Sequence, residues 1–154
     1  MDNITDKTAS ALLGKKVSGS DKYDPSLLVA VPRFENRERY GIDNKNLPFG
    51  GFDVWHAYEF SVMTENSLPV TRVMKLKYNC DSNFIVESKS LKLYLNSFNM
   101  SRFGKNIKEC LSICKTFIEK DLSEKLQTKV EVNFLEYESR RVDIFSEFKN
   151  VMDF

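Results

Sequence analysis

Hydrophobic and polar positions repeat with two different periods along this chain. Over residues 53–64 the period is two. Val54, His56, Tyr58, Phe60 and Val62 fall on one side of an extended chain, and Trp55, Ala57, Glu59, Ser61 and Met63 on the other. Both sides carry large residues, so both faces of this strand are expected to be covered. Residues 68–78 predict a second strand, with Val70, Met74, Leu76 and Tyr78 opposite Lys75 and Lys77; the short link Glu65-Asn66-Ser67 joins the two as a hairpin. Val130, Val132 and Phe134 alternate with Glu131 and Asn133 in a third strand over 129–138. Between the second and third strands the period lengthens. Phe84-Ile85-Val86 suits a strand end, and Ser88 is the expected N-cap of a helix over 88–99. Its stripe is Leu91, Tyr94, Leu95 and Phe98, with Lys89, Lys92 and Asn96 off it. A second helix is predicted over 105–121, where Cys110 and Cys114 join Ile107, Leu111, Ile118 and Leu122 on one apolar face. Residues 148–154 are expected to hold part of a fourth strand.

Residues 1–50 show little periodicity and predict a partly irregular arm. A short helix is expected near 9–13, a turn at Asp24-Pro25, and a closing loop at Asn46-Leu47-Pro48-Phe49-Gly50-Gly51. The order strand, strand, helix, helix, strand predicts an α+β module over 51–154, its last strand expected to be truncated: an antiparallel sheet with two helices packed on one face.

Composition narrows the function. A chain of 154 residues predicts one domain, and 23 basic against 22 acidic side chains argue against a general nucleic-acid or membrane-surface binder. No apolar run approaches the roughly 20 residues of a membrane span. The opening residues carry no secretory pattern, so a cytoplasmic location is the expectation. The three cysteines, Cys80, Cys110 and Cys114, have no zinc spacing, and His56 is the single histidine. All four read as structural residues, and no metal site is expected.

Glu87 is the candidate for chemistry. It lies at a strand-to-helix junction, where a carboxylate can accept two hydrogen bonds from a planar N–H edge. Free backbone N–H groups of the first helical turn, with Ser88 and Lys89 beside them, would suit a phosphate. Spacing alone favours the plainer reading, a helix with an acidic residue at its start and lysines on its wet face. A pocket carboxylate adds little to a core, so changing Glu87 is expected to leave folding nearly unaffected.

The run Glu87-Ser88-Lys89-Ser90-Leu91-Lys92-Leu93-Tyr94-Leu95-Asn96-Ser97-Phe98 resembles the signature of the QueF nitrile reductases. Leu13-Gly14-Lys15, Tyr23-Asp24-Pro25-Ser26-Leu27-Leu28, Val31-Pro32-Arg33 and Asn46-Leu47-Pro48-Phe49 extend it, and resemble the amino-terminal arm of the two-module members. The resemblance implies a tunnelling fold, or T-fold, and reduction of 7-cyano-7-deazaguanine to the aminomethyl compound with NADPH, in the route to queuosine in tRNA. It implies Val86, Glu87 and Ser88 as base contacts, and Ser88 and Lys89 as NADPH contacts.

The family's remaining machinery is missing. Where a nucleophilic cysteine followed by an aspartate is expected, this chain has Met63-Thr64-Glu65-Asn66-Ser67-Leu68-Pro69-Val70-Thr71. Where a His-Glu pair follows the signature helix, it has Met100-Ser101-Arg102-Phe103. The resemblance therefore implies a substrate- and NADPH-contacting module with no catalytic residue of its own, inactive unless a second T-fold module supplies the cysteine. Homo-oligomers and no direct nucleic-acid contact are further expectations. The alternatives are a non-catalytic T-fold module that holds a purine or pterin, and a purely structural relic.

Overall fold

The computed structural model describes residues 22–135. The expected helix near 9–13, the strand over 148–154 and the end of the third strand lie outside that range. A single 3-10 turn, Pro25–Leu27, leads into β1 (Ala30–Pro32) and α1 (Arg33–Arg39). The long strands β2 (Phe52–Met63) and β3 (Pro69–Asn79) follow, then β4 (Phe84–Val86), α2 (Ser88–Asn96), α3 (Ile107–Leu126) and β5 (Val130–Phe134). The architecture is α+β. β2, β3 and β5 form an antiparallel sheet with β3 in the middle, and β1 pairs with β4 as a separate antiparallel ribbon.

The hairpin closes where the sequence places it. Ser67 adopts φ 63°, the Thr64 hydroxyl accepts the Leu68 N–H at 3.1 Å, and the Ser67 N–H reaches the Thr64 carbonyl at 2.8 Å. Within β2 the strict alternation fails. Ala57 pairs with Met74 but Phe60 pairs with Arg72, so β2 carries one residue more than β3 between those pairs. This bulge changes which side chains turn inward. Trp55 and Ala57 pack against the core before it, and Phe60 and Val62 are buried after it. Phe52, Val54, His56 and Tyr58 are consequently exposed, contrary to the expectation that both faces of this strand are covered.

The helices pack on the other face through the expected stripes. Leu91, Tyr94, Leu95 and Phe98 from α2 and Cys110, Cys114, Ile118, Leu122 and Leu126 from α3 meet Phe60, Val62, Met74, Leu76 and Val132 in one core. Each large side chain so buried contributes about 1.5–3 kcal/mol. α3 starts with the Asn106 side chain accepting the Glu109 N–H, and it continues beyond 121 to Leu126 as regular helix. Ile107 lies at its exposed start rather than in the apolar face.

Two elements were not expected. α1 forms over a charged stretch with no buried residue, and β1 fixes the arm to β4 through Ala30 opposite Val86 and Pro32 opposite Phe84. Side chains of the signature segment and of the residues after it hold the arm further. The Ser97 hydroxyl accepts the Asp24 N–H at 3.1 Å and the Ser101 hydroxyl accepts the Tyr23 N–H at 3.0 Å. The Tyr23 hydroxyl donates to Asp121 Oδ2 at 2.5 Å, where the Tyr94 hydroxyl also donates at 2.6 Å. Both phenols are raised above the ordinary tyrosine value, first by burial and then by the Asp121 carboxylate.

Candidate functional site

The ribbon β1–β4 delivers the chain to Glu87. Val86 is buried, and its N–H points to the Tyr78 hydroxyl at 3.4 Å. That hydroxyl also accepts the Trp55 indole N–H at 3.0 Å, and burial raises its pKa while these two bonds partly oppose the rise. Arg33 braces the ribbon from below. Its Nε donates to the Ser82 hydroxyl at 3.2 Å and the Phe84 carbonyl at 3.1 Å, and its guanidinium pairs with Asp53. The guanidinium also lies 5.7 Å from the centre of the Tyr78 ring. Nothing in the polar pattern around Val31-Pro32-Arg33 signals this role, because the partners lie 20 to 51 residues away in sequence.

Glu87, with φ −76° and ψ 130°, is the N-cap of α2. Its Oε1 accepts the Lys89 N–H at 2.9 Å and its Oε2 accepts the Ser90 N–H at 2.6 Å. Ser88, expected as the cap, is the first helical residue, with an exposed side chain whose hydroxyl lies 3.5 Å from Oε1. The glutamate chain is long enough to fold back over two amides, which a serine hydroxyl cannot do at once. Two corrections follow. The Lys89 and Ser90 amides are taken by Glu87 rather than left for a phosphate, and Glu87 caps the helix, so its removal is expected to affect folding rather than leave it untouched. A carboxylate offers about four acceptor positions. The two backbone bonds therefore leave acceptor capacity on both oxygens of a group that is already held in place.

α2 and the exposed edge of β2 enclose a cleft of about 420 Å³. The strand lines it with Trp55 to Phe60, and the helix with Ser88, Leu91, Lys92, Leu95 and Asn96. Of the residues singled out from sequence, Ser88 reaches this cleft; Val86, Glu87 and Lys89 are not among its lining residues. Lys92, one turn beyond Ser88, is the cation that sequence reasoning left on the wet face. The spacing of four from Ser88 is the signal that would have found it. His56 is exposed and stacks on Tyr58 with centroids 6.2 Å apart, so it is a wall of the cleft rather than a residue packed into the fold.

Two of the three cysteines are sealed in the core. Cys110 and Cys114 are fully buried, and burial pushes both thiols up, away from the reactive thiolate. Cys80 is half-buried after the end of β3, where its backbone carbonyl accepts from Arg37 at 2.5 Å. Among the described residues no group of three or more His, Cys, Asp or Glu side chains could hold a metal ion. Among the same residues no helix is long and apolar enough to cross a membrane.

The fold and the junction together define a two-layer α+β module built around a capped carboxylate between a short strand and a helix. The chain belongs to the family described as nitrile reductase, 7-cyano-7-deazaguanine-reductase N-term, whose model matches residues 20–134. It is 50% identical over 91 residues to the NADPH-dependent 7-cyano-7-deazaguanine reductase of Rickettsia massiliae (strain Mtu5), covering 59% of this chain and 33% of that protein. It is 43% identical over 123 residues to a protein of the same name from Desulfotalea psychrophila (strain LSv54 / DSM 12343), covering 80% of this chain and 42% of that protein. The chain thus spans about a third to two-fifths of the length of these curated relatives.

Proposed function

We propose that this chain is the base- and NADPH-contacting module of a 7-cyano-7-deazaguanine reductase acting on the route to queuosine, with an arm over 1–50 and a T-fold module over 51–154. The observation that carries this reading is the Glu87 carboxylate, fixed by two backbone N–H groups and still able to accept from the N–H edge of a guanine-like base. Ser88 and the Val86 main chain would complete the base contacts. A hydroxyl with neighbouring ammonium groups is a donor set that fits a phosphate, and Ser88, Lys89 and Lys92 stand exposed on the first turns of α2. These residues would hold NADPH, which supplies hydride when bound. Glu59, on the opposite wall of the cleft, would keep the phosphates toward the helix side.

Reduction of the nitrile to a primary amine also needs a thiolate, and burial sets Cys110 and Cys114 against that role. The proposal therefore includes a second, cysteine-bearing T-fold module, joined through the edges of β2 and β5 that no strand among the described residues covers, and through the exposed face of β2. A second reading, a T-fold module that holds a purine or pterin without chemistry, draws on the same fixed carboxylate, which needs no thiolate to accept from a base. Calorimetry with 7-cyano-7-deazaguanine, with and without a cysteine-bearing module, separates the two. Nitrile-dependent NADPH oxidation only after complementation supports the reductase; tight binding by the chain alone with no oxidation in either state supports the binding module. No binding in either state refutes both.

A further inference from the structure

We propose that Ser90 is a positioning residue that holds Glu87 by tying it to the arm at Val29, an inference that rests on the reading of Glu87 as a base contact. Ser90 has no exposed surface. Its hydroxyl donates to the Glu87 carbonyl at 2.8 Å and accepts the Val29 N–H at 3.1 Å. The Glu87 N–H donates to the Val29 carbonyl at 2.9 Å, and the Ser90 N–H donates to the Glu87 carboxylate at 2.6 Å. Glu87 is therefore fixed at its amide, its carbonyl and its side chain. One hydroxyl and one peptide unit of the arm close the circuit. Alanine is the better helix former, so serine at this position carries a small propensity cost. The hydroxyl gives the partly buried Val29 amide its hydrogen-bond partner.

Ser97 provides the matched control. It too is fully buried, its hydroxyl accepting the Asp24 N–H at 3.1 Å and donating to the Tyr94 carbonyl at 2.6 Å, but it makes no contact with Glu87. Ser90→Ala and Ser97→Ala should therefore lower the thermal midpoint alike and part company in two other measurements. The first is amide hydrogen exchange on the chain itself. Ser90→Ala should speed exchange at Glu87 by roughly tenfold, the loss of about one hydrogen bond, while Ser97→Ala leaves it unchanged. The second is affinity for 7-cyano-7-deazaguanine, measured in the state in which the wild type binds, alone or complemented. Ser90→Ala should weaken it by about tenfold and Ser97→Ala by less than about twofold.

Normal affinity in Ser90→Ala, alongside a large loss in Glu87→Ala, overturns the positioning role and leaves the reading of Glu87 intact. Equal losses from both serine variants reduce Ser90 to general stability and overturn the proposal. Undiminished binding in Glu87→Ala, or no binding by the wild type in either state, takes down the reading of Glu87 itself. The exchange experiment then decides the structural tie on its own.

Discussion

Glu87→Gln and Glu87→Asp should separate the two tasks of one carboxylate. In the Gln variant one oxygen becomes an NH2 group, and it must face either the Lys89 or the Ser90 amide, now 2.9 and 2.6 Å from the acceptors. Loss of a cap costs about 0.5–2 kcal/mol, and loss of the negative charge at the helix N-terminus about 0.3–1 kcal/mol. We expect about 1–2 kcal/mol in all, which for a chain of this size lowers the thermal midpoint by about 3–8 °C. Base affinity should fall as well, because a donor would then face donors. Aspartate is a preferred N-cap residue, so Glu87→Asp should stay within about 0.5 kcal/mol of the wild type. Its carboxylate is withdrawn by one methylene, about 1.5 Å, and affinity for the base should drop at least about tenfold. Circular dichroism melts and calorimetric titration with the nitrile base read the two effects independently. A Gln variant that melts at the wild-type temperature would show that the two amide bonds support nothing. An Asp variant that binds normally would show that the reach of the side chain is irrelevant to the ligand.

Three further outcomes follow from packing and charge. Gly104 has φ +64°, and an added Cβ would stand 2.6 Å from the Cys110 amide nitrogen, a backbone atom that cannot turn aside; Gly104→Ala should cost about 2–4 kcal/mol in a urea melt, well above a change at open Gly41. Asp121→Ala removes the single oxygen that receives both the Tyr23 and Tyr94 hydroxyls, leaving a fully buried phenol without an acceptor; a loss of about 2–4 kcal/mol is expected by the same assay. Alkali should unfold the protein early. The Tyr94 and Cys114 values are raised in the fold, so their stabilising contribution is complete below the ordinary unfolded values, about 10 and 8.5, and declines above them as the unfolded chain ionises first. Stability measured against pH should be flat near neutrality and fall above about pH 9, by up to roughly 1.4 kcal/mol per unit for each group between its two values; a curve flat to pH 11 would refute the burial of these groups.

The 3.6-residue stripe of α2 was legible because burial selects one face of a helix, and Leu91, Tyr94, Leu95 and Phe98 all enter the core. The bulge in β2 was not. Large residues on both sides of the strand keep the alternation unbroken through Tyr58 and Glu59, so nothing marks the inserted residue. α1 has no buried residue and hence no stripe to read. At the site, Glu87 was found but its capping role was not, because N-cap preference favours the neighbouring serine and takes no account of a longer side chain folding back. Ser90, with the same polar character as an exposed helical serine, gave no sign of its burial. Its value depends on a peptide 61 residues earlier.

That separation has a consequence in time. The bonds that clip the arm to the signature segment span 61 and 73 residues, that to Ser101 spans 78, and the Tyr23 bond to Asp121 spans 98. Residues 23–30 leave the ribosome well before any of these partners exists. Closing such loops costs entropy that a formed receiver offsets, so the helices are expected to pack before the arm settles. On this expectation the segment made before its partners is seated after them, and the tie of Glu87 to Val29 forms with it.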